Sequence, residues 1–410
     1  MAHADLQNLV DDLATRLDAP TVLEDQEQRL IVYSTHSEPI DDVRRDSILR
    51  RETLPTTKAW FRQYGIVQAT APLRIPRDSD AGVLGRLCVP VRYVNRLLGF
   101  LWLIDDDRRL GPREESLTEV VAGHVASILY EDELNHRLVS SALAQLLSPS
   151  LEVREGAAAR IAESSSLDVD APYVVSVLQP VGLAQQDIHP GIAEALCELA
   201  WHRHTTRHLH LASGDHGVLL TQLRTRGDDS HALRLAEEAR QALLARLGRQ
   251  HPGCRVIAAT GDPADALTGA LTSYRQAKLA AKVARTVPSI GDQPHWRGLG
   301  VFRVLAQLPL DDALVSGLDP RVSTVLRSGD EPVVLTLETY LDLGCDAKVT
   351  AERLHLHRGT LYYRLQKAER IGGINLRDGA DRLSIHLGLK LARFLGLLST
   401  PPTTQDQGDA

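Results

Sequence analysis

Cysteine is scarce and scattered. Cys88, Cys197, Cys254 and Cys345 are the four in 410 residues, and no two form a C-x-x-C pair. That spacing argues against a disulfide scaffold and against a zinc cluster. Long hydrophobic runs are also missing. No stretch of 18 apolar residues occurs, and Met1 is followed by the amphipathic "AHADLQNLVDDLATRL", so neither a membrane span nor an export signal is expected. The chain reads as cytoplasmic. There is no global excess of positive charge either: 46 Lys/Arg stand against 53 Asp/Glu, a net of −7, so a polyanionic partner would need a local basic patch. Lysine itself is rare, 6 of the 46 basic residues, which with the Ala/Leu richness points to a GC-rich genome rather than to function. Finally, G-x-S-x-G, H-E-x-x-H and G-x-x-x-x-G-K-[ST] are absent, and Gly82-Val83-Leu84-Gly85 reads as a strand-entry loop, not a phosphate cradle. No catalytic residue, metal or cofactor is expected.

What remains is ordinary globular composition, 43% hydrophobic and 24% charged, in a chain long enough for about two to four domains. Residues 1–112 read as mixed α/β. An N-terminal helix leads into "TVLEDQEQRLIVYS", two short β-prone runs, and later Leu87–Val94 and Leu97–Ile104 flank the turn residues Asn95-Arg96 as a hairpin. A small antiparallel sheet with helices to one side is a common sensor architecture. Residues 113–149 form a connector. Its helix carries Leu117, Val121, Val125, Ile128, Leu134, Leu138, Ala142 and Leu146 as a rough seam, a possible coiled coil stopped by Pro149. Residues 150–287 contain the order β-α-β-β-α-β, the ferredoxin-like pattern, with two strands meeting at Ser213-Gly214-Asp215-His216-Gly217. Residues 288–332 are a Pro/Gly-punctuated linker with short helices. Residues 333–398 are nearly all helical, and 399–410 form a disordered tail. The expected fold is multidomain α+β.

The stretch "VTAERLHLHRGTLYYRLQKAERI" is the most informative in the chain. Asp346 can cap a short helix over Ala347–Leu354, and a second helix follows over Arg358–Arg370. Val349, Ala351, Leu354, Leu356, Leu361, Leu365 and Ala368 supply apolar contacts for two crossed helices, the helix-turn-helix pattern whose second helix enters the major groove. At 100° per residue Leu361, Leu365 and Ala368 share one side of that helix. Opposite lie Gly359, Tyr363, Gln366 and Arg370, flanked by Thr360, Tyr362 and Lys367. Residues 333–398 hold 10 Lys/Arg against 7 Asp/Glu, a net of +3, which leaves −10 for the rest. Position then assigns roles: Arg358, Tyr363 and Gln366 to base edges, Arg364, Lys367, Arg370 and the Thr360 hydroxyl to phosphates, and His357 to a backbone contact or the helix cap. The competing reading is a surface helix with ordinary solvated charge.

The segment Thr336–Leu395 resembles the C-terminal helix-turn-helix domain of the PucR/CdaR family of bacterial transcriptional regulators. The resemblance rests on T-L-x-x-Y-L at Thr336–Leu341, A-x-x-L-x-x-H-R-x-T-L-x-Y-R-L at Ala351–Leu365, and D-R-L-x-x-H-L-x-L at Asp381–Leu389. Two positions depart from it: Gly359 stands where the family carries a polar residue, often Asn, and Tyr362 replaces a frequently basic one. Upstream, "SYRQAKLAAKVA" (Ser273–Ala284) and "RGLGVFRVLAQL" (Arg297–Leu308) are similar to the family's GGDEF-like domain and the segment after it, and residues 1–112 are similar to a GAF- or PAS-like sensor in pattern.

The resemblance implies a cytoplasmic regulator in which the N-terminal domains sense a small-molecule or protein signal and the helix-turn-helix binds an operator on double-stranded DNA. A homodimer or higher oligomer is expected, because one such domain reads few base pairs. The alternative is a nucleotide-binding or nucleotide-cyclising protein whose C-terminal helices serve assembly or docking. A cyclase needs two acidic groups holding Mg²⁺ at its G-G-[DE]-E-F turn, and here Asp215 is followed by His216. "WHRHTTRHLH" (Trp201–His210) places four histidines within nine residues, but a solvated helix end and an exposed strand face account for them without metal. Effector, operator, pathway, and activation versus repression are left open.

Overall fold

Near-continuous apolar runs such as "LLGFLWLI" (Leu97–Ile104) signal strands buried on both faces, because a sheet open to water on one side would show a polar residue at every second position. The structure, a computed structural model, describes residues 2–35, 41–79, 82–165, 167–183, 191–193, 195–196, 208–308 and 319–398. The expected tail, Cys197, His202 and His204 lie outside these. The chain divides into two compact units, Met1–Val139 and Ser140–Ala410.

The first unit is built on an antiparallel sheet of order β2-β1-β5-β4-β3, from β1 (Thr21–Asp25), β2 (Leu30–Tyr33), β3 (Leu73–Ile75), β4 (Arg86–Tyr93) and β5 (Arg96–Ile104). Leu23, Leu87, Val89, Leu101 and Leu103 pack against α1 (Ala2–Leu17) and the first half of α4 (Pro112–Leu146). Their neighbours Val22, Cys88, Phe100 and Trp102 face the other way, toward α2 (Asp42–Arg50) and α3 (Pro55–Arg62), where Phe61 is buried. Helices therefore cover both faces, which corrects the expectation of helices to one side. The hairpin also closes one residue earlier than expected. A register shift between Val91 and Arg92 makes Tyr93 pair with Arg96, so Val94-Asn95 form the turn, with Val94 at φ 56°.

Helix α4 has 35 residues and so is roughly 50 Å long. The expected seam is not uniform. Val121, Val125 and Leu129 are buried in the first unit, Ala142 and Leu146 in the core of the second, and Leu134 and Leu138 between them are 47% and 57% exposed. The helix ends at Leu146, ahead of Pro149. Ser150 then caps α5 (Leu151–Ser164), a helix not expected from the sequence.

In the second unit β6 (Tyr173–Val181), β7 (His208–Ser213), β8 (His216–Gln222) and β9 (Arg255–Thr260) form an antiparallel sheet of order β7-β8-β6-β9. The last strand lies beside the first, as the ferredoxin-like order requires; α6 (Ser230–Gln250) connects β8 to β9, and α7 (Ala270–Thr286) follows β9. Beyond it, Trp296, Leu299, Phe302 and Leu305 are buried in one cluster with α7 and with Leu391 and Phe394 near the chain's end, so this stretch is packed core. The last five helices are α8 (Pro320–Arg327), α9 (Glu331–Asp342), α10 (Ala347–Arg353), α11 (Arg358–Gly372) and α12 (Gly379–Phe394).

Candidate nucleic-acid interface

Asp346 starts α10 as its N-cap, Oδ1 accepting from the Lys348 and Val349 N–H groups at 2.8 and 3.1 Å. The turn that follows takes His355 through φ 52°, and the Leu356 N–H returns to the Ala351 carbonyl at 2.8 Å. His357 then caps α11, its Nδ1 accepting from the Gly359 N–H at 3.3 Å. Capping is one of the two roles considered for this residue. Leu361, Leu365 and Ala368 are buried with Val325, Val333, Leu337, Ala351, Ile385 and Leu389, which fixes the α11 face turned to the core. Val349, expected among the packing residues, is 43% exposed: its place one turn into α10 points it away from α11.

On the opposite face His357, Arg358, Gly359, Thr360, Gln366 and Arg370 are exposed, and Tyr362 and Tyr363 keep 48% and 58% of their surface in solvent. Two aromatic rings in water beside three basic or amide side chains are unusual on a solvated helix and suit a surface that meets a partner. Two other cations are held back. Lys367 Nζ lies 2.5 Å from Asp330 Oδ2, and Arg364 Nη1 donates to Thr336 Oγ1 at 3.3 Å; both side chains are half-buried. Their expected place as free phosphate donors is therefore revised to the edge of the face, tied to α9. Lys348 and Arg353 on α10, not singled out from the sequence, are exposed. Counting cations on both helices, rather than on the second alone, would have found them.

The face is held rigidly from behind. Arg393 of α12 pairs with Glu338 of α9 through two hydrogen bonds, Nε to Oε1 at 2.8 Å and Nη2 to Oε2, both residues buried. Lys390 adds 2.7 Å to Asp342 Oδ2. Such a pair fixes geometry more than it stabilises, since each ion gives up its water.

The middle domain's degenerate turn offers less. Asp215 Oδ1 lies 2.8 Å from His216 Nδ1, and His216 Nε2 lies 2.8 Å from the Tyr274 hydroxyl on α7. Burial pushes the imidazole pKa down although Asp215 opposes it, and the hydrogen bond to His216 holds the Asp215 carboxyl below its ordinary value. The turn's carboxylate is thus engaged in a latch between β8 and α7. On β7, His208 is half-buried and His210 buried, which corrects the expectation of an exposed strand face: His210 pairs with Leu219, and Leu219 and Ala212 on that face pack in the core formed with α6. Among the described residues no group of His, Cys, Asp and Glu is placed to hold a metal ion.

Residues 333–391 match the model of the PucR C-terminal helix-turn-helix domain, and residues 150–283 that of the GGDEF-like domain. The chain thus carries the two domains typical of PucR/CdaR regulators. It is 22% identical to the proline-responsive transcriptional activator PutR of Bacillus subtilis (strain 168), over 96% of this chain and 97% of that protein. With the DNA-binding transcriptional activator AdeR of the same organism it shares 20% identity over 94% of this chain and 92% of the relative. Among solved structures it is similar to a regulator of polyketide synthase expression from Bifidobacterium adolescentis, at 18% identity and a TM-score of 0.29, over 63% of this chain and 93% of that one. The similarity to these two relatives thus runs through the N-terminal unit as well as the matched domains.

Proposed function

We propose that this chain is a transcriptional regulator that binds promoter DNA by laying the exposed face of α11 in the major groove. The observation that carries this is the division of α11: Leu361, Leu365 and Ala368 are locked in the core, while Arg358, Thr360, Tyr362, Tyr363, Gln366 and Arg370 are left outward with no apolar cover. Arg358, Tyr363 and Gln366 read base edges, Thr360 and Arg370 hold phosphates, and Tyr362 stacks along the backbone. His357 shapes the helix start, and Arg364 and Lys367 reach a phosphate only by leaving Thr336 and Asp330. Lys348 and Arg353 serve the phosphates flanking the first helix.

The N-terminal unit, a sheet covered on both faces in the manner of a GAF-like domain, senses the effector. Leu134 and Leu138 on α4 are the residues a second copy would cover in a homodimer, which would bring two readers to a repeated site. No described helix is long and apolar enough to cross a membrane, in keeping with action on DNA in the cytoplasm. The engagement of Asp215 by His216 supports a non-enzymatic middle domain that transmits or docks.

Fluorescence anisotropy against the upstream region of the protein's own gene and against random DNA, each at two salt concentrations, tests this reading. The expected result is tighter binding to the specific fragment, with affinity for both falling steeply as salt rises. Equal, salt-insensitive binding would set it aside.

A further inference from the structure

The first unit contains a charged interior that packing alone does not explain. Glu24 on β1, Asp41 and Arg44 at the start of α2, and Arg86 on β4 are all buried. Arg86 pairs with Asp41, which also caps α2 through the Arg44 N–H at 2.7 Å and accepts from the Leu84 N–H at 2.8 Å. That pair is complete. The remaining two charges are not. The Arg44 guanidinium makes one hydrogen bond among the described residues, 3.3 Å to the Trp102 carbonyl, and has no ion pair of its own. Glu24 accepts 2.9 Å from the Thr53 hydroxyl. Beside them the Trp102 indole Nε1 is buried with no partner of normal hydrogen-bond geometry, though near enough to Glu24 to ease its ionisation. These groups surround a small space of about 10 Å³ open to the centre of a water, lined on the apolar side by Val22, Val43 and Phe61.

The helix over this space is itself unusual. The buried residues of α2 are Arg44 and Ser47, while its Leu49 is 75% exposed. A helix that turns polar side chains to the sheet and leaves its leucine in water gains little from apolar burial, so polar contacts carry much of its hold on the sheet. A buried guanidinium with one long hydrogen bond is costly unless another group completes it.

From this arrangement we infer that the cavity between α2 and the sheet is a binding site for a small zwitterion of the α-amino-acid class. The ligand carboxylate takes the open donors of Arg44 in a forked pair, the ammonium meets Glu24, and a short apolar side chain lies against Phe61 and Val43. A zwitterion fits where a simple anion or amine does not, because it offers a hydrogen-bonding partner of opposite charge to each of the two groups and adds no net charge to the interior. The space of about 10 Å³ holds no more than a water, so binding requires α2 to separate from the sheet. The inference rests on the reading that the N-terminal unit is the sensor, and names what it senses.

The test uses the full-length protein and the natural L-amino acids at millimolar concentration, with thermal unfolding as a screen and calorimetric titration of any hit. Each hit is compared with its amine, which lacks the carboxylate, and its keto acid, which lacks the ammonium. The expected result is that at least one amino acid binds, that its amine and keto acid bind at least about tenfold more weakly, and that Arg44→Gln costs about tenfold or more. Glu24→Gln, the near-isosteric change, weakens the amino acid by a similar factor and leaves the keto acid unaffected. It keeps the test decisive if Arg44→Gln fails to fold. No response to any amino acid, or a keto acid that binds as well as its amino acid, overturns the proposal. DNA titration of the same preparation separates the two readings: salt-dependent DNA binding without an amino-acid response sinks only the ligand assignment, whereas loss of DNA binding sinks the regulator.

Discussion

Lys367 Nζ on α11 sits 2.5 Å from Oδ2 of Asp330, whose other oxygen accepts from the Val333 N–H at 3.2 Å and so caps α9. One carboxylate thus starts the supporting helix and restrains a cation at the rim of the reading helix. Each partner favours the other's charged form, with the Asp330 pKa lowered and that of Lys367 raised. Asp330→Asn keeps an oxygen for the cap and releases the lysine. The slope of log affinity against log salt is then expected to steepen by about 0.9, one phosphate contact, whereas Lys367→Ala leaves the wild-type slope nearly unchanged. Identical slopes for Asp330→Asn and wild type would mean that Lys367 does not face the backbone.

Arg370 and Tyr363 separate affinity from specificity on the same face. Arg370 is exposed near the helix end, and its removal is expected to weaken binding to all DNA alike and to flatten the salt slope by about one contact. Tyr363→Ala is expected to cut the ratio of specific to random binding while sparing affinity for random DNA. Anisotropy with both fragments reads the two ratios directly, and a uniform loss from Tyr363→Ala would move that residue to the backbone.

How far the sequence could be read depended on the distance between partners. The buried stripe Leu361, Leu365 and Ala368 and the cap at Asp346 follow from spacing within a dozen residues, and the structure has both. The partners that hold back Arg364 and Lys367 lie 28 and 37 residues upstream, where no periodicity points to them. Helix α5 begins at Leu151, two residues after the proline expected to end the connector, and its Ala-rich run has no distinct stripe. The charged interior of the first unit was invisible for the same reason. Glu24, Arg44 and Arg86 come from three elements up to 62 residues apart, and each alone reads as an ordinary surface charge.

Gly359 is one of the two positions at which the sequence of α11 departs from the pattern it resembles, and nothing in the structure requires a glycine there. A Cβ would meet only His357 Nδ1, at 3.5 Å, an ordinary contact. Gly359→Ala is therefore expected to stabilise the C-terminal domain by about 0.5–1 kcal/mol, through the lower entropy of the unfolded chain. Urea unfolding followed by circular dichroism measures this. Destabilisation would show that the first turn of α11 needs backbone freedom.

Glu24 makes the stability of the first unit depend on pH. Burial raises its pKa from 4.5 to about 7, against the opposing effects of the Thr53 hydroxyl and the Arg44 and Arg86 charges. The folded state therefore holds a proton that the unfolded chain releases near its ordinary value. The resulting stabilisation is fully present below about pH 4.5 and is lost as the pH rises through about 7, roughly 3 kcal/mol at about 1.4 kcal/mol per unit. Asp25, raised by burial to about 6, acts with the same sign. Glu24→Gln cannot ionise, so it is expected to match wild type near the acid end of this window and to exceed it in melting temperature above neutrality. Calorimetric scans of both proteins across the window decide the matter. A wild-type transition that stays level from acid to neutral pH would mean that Arg44 and Arg86 keep Glu24 ionised throughout, and that burial is the smaller of the two effects.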